Sequence, residues 1–382
     1  MAVACGRDSP ASRGNLTTTI DTINGIVHVT NTGDPPEWQL TQVVSIGPQS
    51  ITETGSANEF GGVRSVALGP EDALYIADLV NREVRVFGLD GAHRRTFGRE
   101  GEGPGEFAGL HSIAWVGDRL LALDYVMGRV TEFSAEGDAL GERRMRGRIG
   151  GSPLRFRFFQ VGPDEAYAMT YVVDETRRGL MFAGHDSQGE TGDTLPLLRS
   201  EQPSGIDCEY NEGWVTFFDI PFAPSLVQHP GPGGVMYTAK GNDYRIAVIR
   251  GSDTLRVIER ALSAEPVSDE EWETGNQEFR DFIAETPGAE CDPRRPTRPE
   301  AKPFIEDIYI APDGKLWVEV LRTAGNRWEI FDTGGRLLGT FPVRPRKEDA
   351  APVFGPDQLV TIRRDSLDLD HVDVWRIDRA GR

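Results

Sequence analysis

The feature that most constrains the fold is an internal repeat. Residues 63–87 align with residues 110–133, so that Ser65 matches Ser112 and Phe87 matches Phe133. Each copy reads as an apolar strand, a tight turn, a second apolar strand, a loop and an alternating strand, followed by another turn and a fourth strand. The strands are short and are separated by Gly, Pro, Asp and Asn. The repeated unit is therefore a four-stranded antiparallel sheet.

Weaker copies follow at 156–195, 225–260 and 305–343, and a last partial copy covers 352–377. Six four-stranded units, spaced by about 40 to 70 residues, predict an all-β chain folded as a six-bladed β-propeller, because radial repetition of such blades hides sheet edges. A β-sandwich is the alternative architecture. It does not explain why the phrases "GPED" and "APDG" recur before the second strand of two copies.

The last copy ends after its third strand, so we expect a strand from the N-terminal region to complete that blade and close the ring. Two segments qualify, 25–31 ("GIVHVTN") and 38–47 ("WQLTQVVSIG"). The predicted organisation is a polar N-terminal tether at 1–24 and a propeller at 25–382.

An insertion at about 265–300 interrupts the repeats between blades four and five. Ser268 and Glu271 have the spacing of a capping box. The apolar residues that follow fall near one face of a helix over 268–285. These are Trp272, Phe279, Phe282 and Ile283. The helix is either a cap on the propeller rim or a partner-binding or lid element.

The phrase "LYIADLVNREVRVFGLDGAHRRTFG" resembles the NHL repeat, and "FGREGEGPGEF" followed by "LHSIAW" resembles the linker between NHL blades. The chain is thus similar to bacterial six-bladed β-propeller proteins, which are often extracytoplasmic lipoproteins. The resemblance is strong over about 60–135, moderate over 303–343 and weak elsewhere. It implies a fold more than a function, since propellers carry many unrelated activities.

The glycine-rich run at 97–107 is not a phosphate-binding loop. It lacks the Gly-Lys-Ser/Thr ending of a P-loop and is flanked by strands, and three glutamates in it would repel phosphate. We interpret it as the linker between two blades, with glycines where positive φ is needed. Asp78 and Asp124 recur between copies. We therefore predict that their carboxylates accept backbone N–H groups of the next loop and are not catalytic.

The net charge of −19 argues against nucleic-acid binding through a basic surface. No apolar run is long enough to span a bilayer. Cys5 follows "AVA" as in a bacterial lipobox, so either it is lipidated and provides the only membrane attachment, or the match is chance. Cys208 and Cys291 are candidates for a disulfide in an oxidising compartment, the alternative being two free thiols.

Candidate ligand-binding residues come from aligning the inner strands, whose entrance positions should face the central channel. These positions are Arg64, His111, Arg157, Pro224 and Glu306. The mixture of charges is typical of a polar or anionic-ligand funnel, or of a hydrated pore mouth. Some six-bladed relatives are calcium lactonases or an amidating lyase, and the ring lacks the carboxylate and Asn ligands that those enzymes need.

No motif supports zinc binding or a nucleophilic hydrolase, and we expect no cofactor. Calcium remains an alternative at "DSLDLDHVD", where Asp365, Asp368, Asp370 and Asp373 lie close together, although the EF-hand order is missing. A solvated turn explains the same residues.

The sequence favours a non-enzymatic binding or scaffolding module, periplasmic or at the cell surface, with a protein partner that belongs to a membrane-associated complex. Exposed aromatic residues would form the interface: Trp214, Phe217, Phe218 and Trp272. The aromatic patch at 212–222 either forms that interface or packs under the helix. A lyase or lactone hydrolase with a metal in the channel is the alternative function.

Overall fold

The computed structural model describes residues 15–48, 55–145, 157–173, 178–186, 188–198, 205–211, 213–292, 296–347 and 350–379. Within them, six sheets carry the repeat, and the chain is a six-bladed β-propeller as predicted. Blades one to three follow the repeat in order. Blade one contains β4 (Val63–Gly69), β5 (Ala73–Asp78), β6 (Glu83–Gly88) and β7 (His93–Phe97). Blade two contains β8 (Leu110–Val116), β9 (Arg119–Asp124), β10 (Arg129–Phe133) and β11 (Ala139–Arg144). Blade three contains β12 (Phe158–Gln160), β13 (Ala166–Val173), β14 (Arg178–Asp186) and β15 (Gly189–Pro196).

The other three blades complete the ring. Blade four contains β18 (Val227–Gly231), β19 (Val235–Ala239), β20 (Arg245–Arg250) and β21 (Asp253–Arg260). Blade five contains β23 (Ile305–Ile310), β24 (Leu316–Val320), β25 (Arg327–Phe331) and β26 (Leu337–Pro342). Blade six contains β27 (Val353–Phe354), β28 (Gln358–Arg364) and β29 (Asp370–Asp378), and its fourth strand is β3 (Gln39–Ile46).

The closing strand is the second of the two N-terminal candidates, because β3 pairs antiparallel with β29 from Ile46↔Val372 to Gln39↔Asp378. The first candidate lies in β2 (Ile26–Thr32), which adds in parallel to the outer edge of blade four, and β1 (Thr17–Ile23) pairs antiparallel with β2. The stretch expected to be a tether thus contains a strand. Buried Asn31 fixes the hairpin to blade five, since its side chain donates to Gly335 O and accepts from Leu337 N, both at 3.0 Å.

The core of the ring is divided into six interblade clusters, one between each pair of neighbouring blades among the described residues. Strand alternation explains this division. In β5, Tyr75 and Ala77 face blade two, whereas Leu74 and Ile76 face blade six. Both faces of each middle strand are therefore buried, which is why these strands read as nearly continuous apolar runs.

The predicted turn devices are confirmed. Asp78 accepts from the backbone N–H groups of Gly61, Gly62 and Asn81, and Asp124 accepts from three N–H groups in the same way. The glycine-rich run is the linker between β7 and β8. Its carbonyl groups at 102, 103 and 106 accept from the guanidinium of Arg129, so its backbone faces a cation.

The insertion contains more than a helix. Two short helices, α1 (Asp269–Gly275) and α2 (Gln277–Glu285), meet at Asn276, and so the predicted single helix is broken there. The capping box of Ser268 and Glu271 is confirmed. A hydrogen bond from Lys302, followed by those from Ser268, lowers the pKa of Glu271 to about 2. Helix α2 covers a three-stranded sheet of β16 (Gly205–Tyr210), β17 (Trp214–Asp219) and β22 (Glu290–Asp292), which the sequence did not predict.

Candidate binding face

The central channel is lined by the inner strands of the blades and encloses about 90 Å³. Of the predicted channel residues, Arg64, His111 and Arg157 line it. Glu306 instead lines an adjoining cavity, which Arg157 also reaches. Pro224 lines neither space, and blade four contributes His229, which the alignment did not select.

The adjoining cavity is much larger, about 1300 Å³, and lies against blade five. Its walls come from the start of β23, the loop after β24 and the segment 342–346, together with Asp34 and Glu37 of the N-terminal segment. Asp219, at the end of β17, connects it to the insertion. The cavity therefore lies between blade five, the N-terminal segment and the insertion.

Two carboxyl groups with raised pKa values lie at the inner end of this cavity. Tyr309 donates its hydroxyl to Asp307 Oδ2 at 2.6 Å, and burial raises the pKa of Asp307 against the opposing charge of Arg157. The side chain of Glu306 is exposed within the cavity, although the surrounding protein partly desolvates it. Burial, and then the charges of Glu319, Asp307 and Asp219, raise the pKa of Glu306. These carboxyl groups hold protons more readily than usual.

Arg157 marks the boundary between channel and cavity. Its guanidinium carbon lies 4.7 Å from the ring centroid of Phe159 and 5.9 Å from that of Tyr309. Within the described part of the chain, no carboxylate forms an ion pair with it. Beside it, burial lowers the pKa of His229 to about 3, and the neutral ring donates from Nδ1 to Pro230 O at 2.6 Å. The junction thus presents a cation supported by aromatic rings.

The insertion forms a platform beside the cavity. The structure places a disulfide between Cys208 of β16 and Cys291 of β22. On the same face of the sheet, Phe218 packs against Phe279 and Phe282, with ring centroids 5.5 Å and 5.0 Å apart. The inner face of the sheet is thereby buried under α2. Phe218 belongs to this core, because alternation in β17 puts Phe217 and Phe218 on opposite faces.

The opposite face of the sheet is open. Val215 is 65% exposed and Phe217 is 55% exposed. Trp214, at the start of β17, is 69% exposed but belongs to the other face, because it alternates with Val215. The register sets Val215 beside Glu209 and Phe217 beside Asp207. Across β16, each of those carboxylates lies opposite another one in β22, as Glu209↔Glu290 and Asp207↔Asp292. We call these six residues the acidic–apolar face: Val215, Phe217, Asp207, Glu209, Glu290 and Asp292.

Sequence reasoning selected only the aromatic part of this region. Trp214 and Phe217 are exposed, as an interface requires, and Trp272 on α1 is half-buried. The carboxylates of the acidic–apolar face were missed. Period-two alternation in "GIDCEY" and "WVTFFD" could have indicated a hairpin, but nothing local shows that β22 joins it.

The candidate calcium residues have other partners. Asp365 accepts from Leu367 N and Leu369 N, Asp370 pairs with Lys347, and Asp373 pairs with Arg363. Over the described ranges, no group of three or more His, Cys, Asp or Glu could hold a metal ion. The predicted lipidation site, Cys5, lies outside the described residues. None of the described helices is long and apolar enough to cross a membrane.

Comparisons with known proteins agree with the fold. Residues 21–193 match the DUF5128 family, described as "6-bladed beta-propeller". No curated protein matches this chain significantly.

Solved structures resemble it over most of its length. A protein from Bacteroides fragilis, named as exported, is 14% identical, with 90% of this chain and 95% of that chain covered and a TM-score of 0.45. A virginiamycin B lyase from Staphylococcus aureus is 10% identical, with 89% and 99% covered and a TM-score of 0.42. BamB from Moraxella catarrhalis is 12% identical, with 88% and 100% covered and a TM-score of 0.39.

At these identities and TM-scores, none of the solved structures bears on function, and the NHL type of the repeat stays a prediction. The six sheets and the family match nevertheless agree on the architecture. The chain is a six-bladed β-propeller.

Proposed function

We propose that the protein is an extracytoplasmic binding module that holds a protein partner on its insertion, as part of a membrane-associated complex. The observation that carries this proposal is the exposure of Val215 and Phe217 side by side on the open face of β17. Contiguous exposed apolar side chains on a soluble protein mark interaction sites more often than isolated ones do.

The platform is rigid enough to present such a site. The disulfide joins β16 to β22, and α2 covers the inner face of the sheet, so the exposed side chains stand on a packed support. A preorganised surface loses less conformational entropy when a partner binds. The disulfide also supports a location outside the cytoplasm, where such bonds persist. Lipidation of Cys5 would supply the membrane attachment, and this remains part of the proposal.

The experiment compares partner capture by three affinity-tagged proteins, each produced in cells and purified after cross-linking. These are the wild type, a Val215→Ser/Phe217→Ser variant, and a control variant in which two exposed valines of propeller loops are replaced, Val80→Ser/Val126→Ser. After cross-linking in intact cells, we expect a defined set of membrane-associated proteins with the wild type and the control but not with the first variant. Equal capture by all three proteins would contradict the proposal.

A second measurement tests the compartment. Cells are denatured rapidly in acid, and the protein is then treated with a maleimide reagent with or without prior reduction. Because Cys208 and Cys291 form a disulfide, they should be labelled only after reduction. Labelling without reductant would argue for a reducing compartment and against the proposed location. Among the described residues, no specific contact favours the sequence-based alternative, a metal-dependent lyase or lactone hydrolase in the channel.

A further inference from the structure

The acidic–apolar face has an unusual charge arrangement for a solvated sheet. Its four carboxylates occupy two neighbouring strands, and each lies directly opposite another carboxylate. All four residues are exposed. Among the described residues, no Lys or Arg forms an ion pair with any of them. As far as the described ranges extend, the face presents concentrated negative charge next to two exposed apolar side chains.

This arrangement does not serve the stability of the sheet. Like charges directly opposite each other on paired strands are destabilising. Val215 and Phe217 both leave more than half of their surface exposed, so much of their apolar area is not buried in this protein. The disulfide between Cys208 and Cys291 lies between the two carboxylate pairs and holds β16 against β22. The strands are thus kept together by a covalent bond in spite of their charges.

We propose that the acidic–apolar face binds a basic polypeptide segment in which an apolar side chain is flanked by Lys or Arg. This inference rests on the proposed function and names the chemistry of the partner. The apolar side chain would pack on Val215 and Phe217, and the basic groups would lie over the four carboxylates. Burial beside an apolar contact strengthens such charge pairs relative to exposed ones.

Strand geometry sets the spacing that the partner must match. Adjacent strands lie about 4.8 Å apart, and same-face neighbours along a strand lie about 6.8 Å apart. The basic groups must then reach about 5 to 10 Å from the apolar anchor. Lys and Arg within two residues of the anchor reach that far in an extended segment. Neither nucleic acid nor an acidic lipid surface fits, because both carry the same charge as the face.

One further carboxylate extends the charge of the sheet. Asp219 follows Phe217 on the same face of β17 and lines the large cavity. Beyond Asp219 the cavity carries both signs of charge, because Arg322 and Arg346 also line it and Arg346 pairs with Glu319. The continuous negative charge therefore ends at Asp219.

The test uses a fluorescein-labelled peptide, Gly-Arg-Leu-Arg-Leu-Arg-Gly, and full-length protein, with binding followed by fluorescence anisotropy. A peptide with Glu in place of Arg is the charge control. The variant removes the four carboxylates isosterically: Asp207→Asn, Glu209→Gln, Glu290→Gln and Asp292→Asn. A matched variant makes the same change in net charge at exposed positions on the helices and the returning segment: Glu270→Gln, Glu278→Gln, Glu285→Gln and Glu300→Gln.

We expect the four-carboxylate variant to bind the basic peptide roughly tenfold more weakly than the wild type, and the matched variant to bind within about twofold of it. Affinity should fall as NaCl rises from about 50 to about 200 mM. Equal weakening by both variants, or equal binding of the acidic peptide, would overturn the inference. So would cellular capture that needs Val215 and Phe217 but not the carboxylates, and that result would leave the proposed function standing.

Discussion

Reduction of the disulfide between Cys208 and Cys291 is expected to open the insertion while the six blades stay folded. The bond joins β16, which follows blade three, to β22, which precedes blade five. β22 has three residues, and the two that flank Cys291 are exposed and lie opposite like charges in β16. Without the bond, the contacts that the described residues provide between these strands are backbone pairing and the packing under α2.

The magnitude follows from chain lengths. When the blades are folded, the β16–β17 hairpin is anchored through the chain that leads to β18, and β22 is anchored through the chain that leads to β23. The bond therefore closes a loop of roughly 30 residues, shorter than the 83-residue separation of the two cysteines. In the chain-entropy account, such a closure contributes about 3.5 to 4 kcal/mol. The free energy of opening of the insertion should fall by about that amount. Its amides should then exchange with solvent several-hundredfold faster, since about 1.4 kcal/mol is a factor of ten.

The assay is hydrogen exchange followed by mass spectrometry, with and without reductant, and β9 in blade two serves as the internal standard. A second arm uses the reduced Asp207→Asn/Glu209→Gln variant, in which repulsion across two residue pairs is removed. Its opening should be less favourable by about 0.4 to 2 kcal/mol. The reasoning is refuted if reduction leaves exchange in β16 and β22 within about threefold of the oxidised protein, or if β9 loses protection equally.

Three further outcomes are expected. Gly339→Ala should lower Tm in scanning fluorimetry, because an added Cβ would lie 2.3 Å from the Trp38 indole and overpacking costs about 1–3 kcal/mol. The control is Gly141→Ala, because the space around Gly141 is open, and equal Tm values for the two variants would contradict this prediction. The pKa of Glu271 is lowered from 4.5 to about 2, so its stabilisation of α1 is present above pH 4.5 and is lost as pH falls toward 2. Glu271→Gln should flatten the pH dependence of the stability of α1, measured by hydrogen exchange over that window, and an unchanged pH dependence would count against the pairing of Glu271 with Lys302. The pKa of His229 is held at about 3, so its ring resonances in NMR spectra should not move between pH 8 and pH 5; a midpoint near 6.5 would show that the ring is solvated.

The blades could be predicted because their information is local. Each copy of the repeat carries its own turn residues, such as Asp78, and its own apolar alternation, so copies can be compared along the chain. The candidates for the closing strand could be reduced to two segments because the last blade needs a fourth strand to pair with its open edge. Choosing β3 over β2 required knowledge of which sheet edge each segment reaches, and that depends on the path around blade five.

The candidate site could be predicted only in part because its residues are assembled over long separations. Trp214 and Phe217 could be selected because they are aromatic residues in a polar segment. The carboxylates of β22 form a charged face only when β22 pairs with β16, and all of blade four lies between these two strands in the sequence. Glu306 was assigned to the channel from its strand position. It faces the neighbouring cavity, because the walls from the N-terminal segment and the insertion enclose space that the repeat does not encode.

The N-terminal hairpin determines how the ring would respond to a mechanical load. β1 and β2 lie on the outer edge of blade four, and the chain then crosses blade five, where Trp38 N donates to Thr340 O, before it enters blade six as β3. A pull on the chain ahead of Thr17 is taken first by the pairs between β1 and β2. The hairpin must peel away before tension reaches β3. In a molecule held by its N-terminal end, the hairpin therefore unfolds before force reaches the pairing of β3 with β29 that closes the ring.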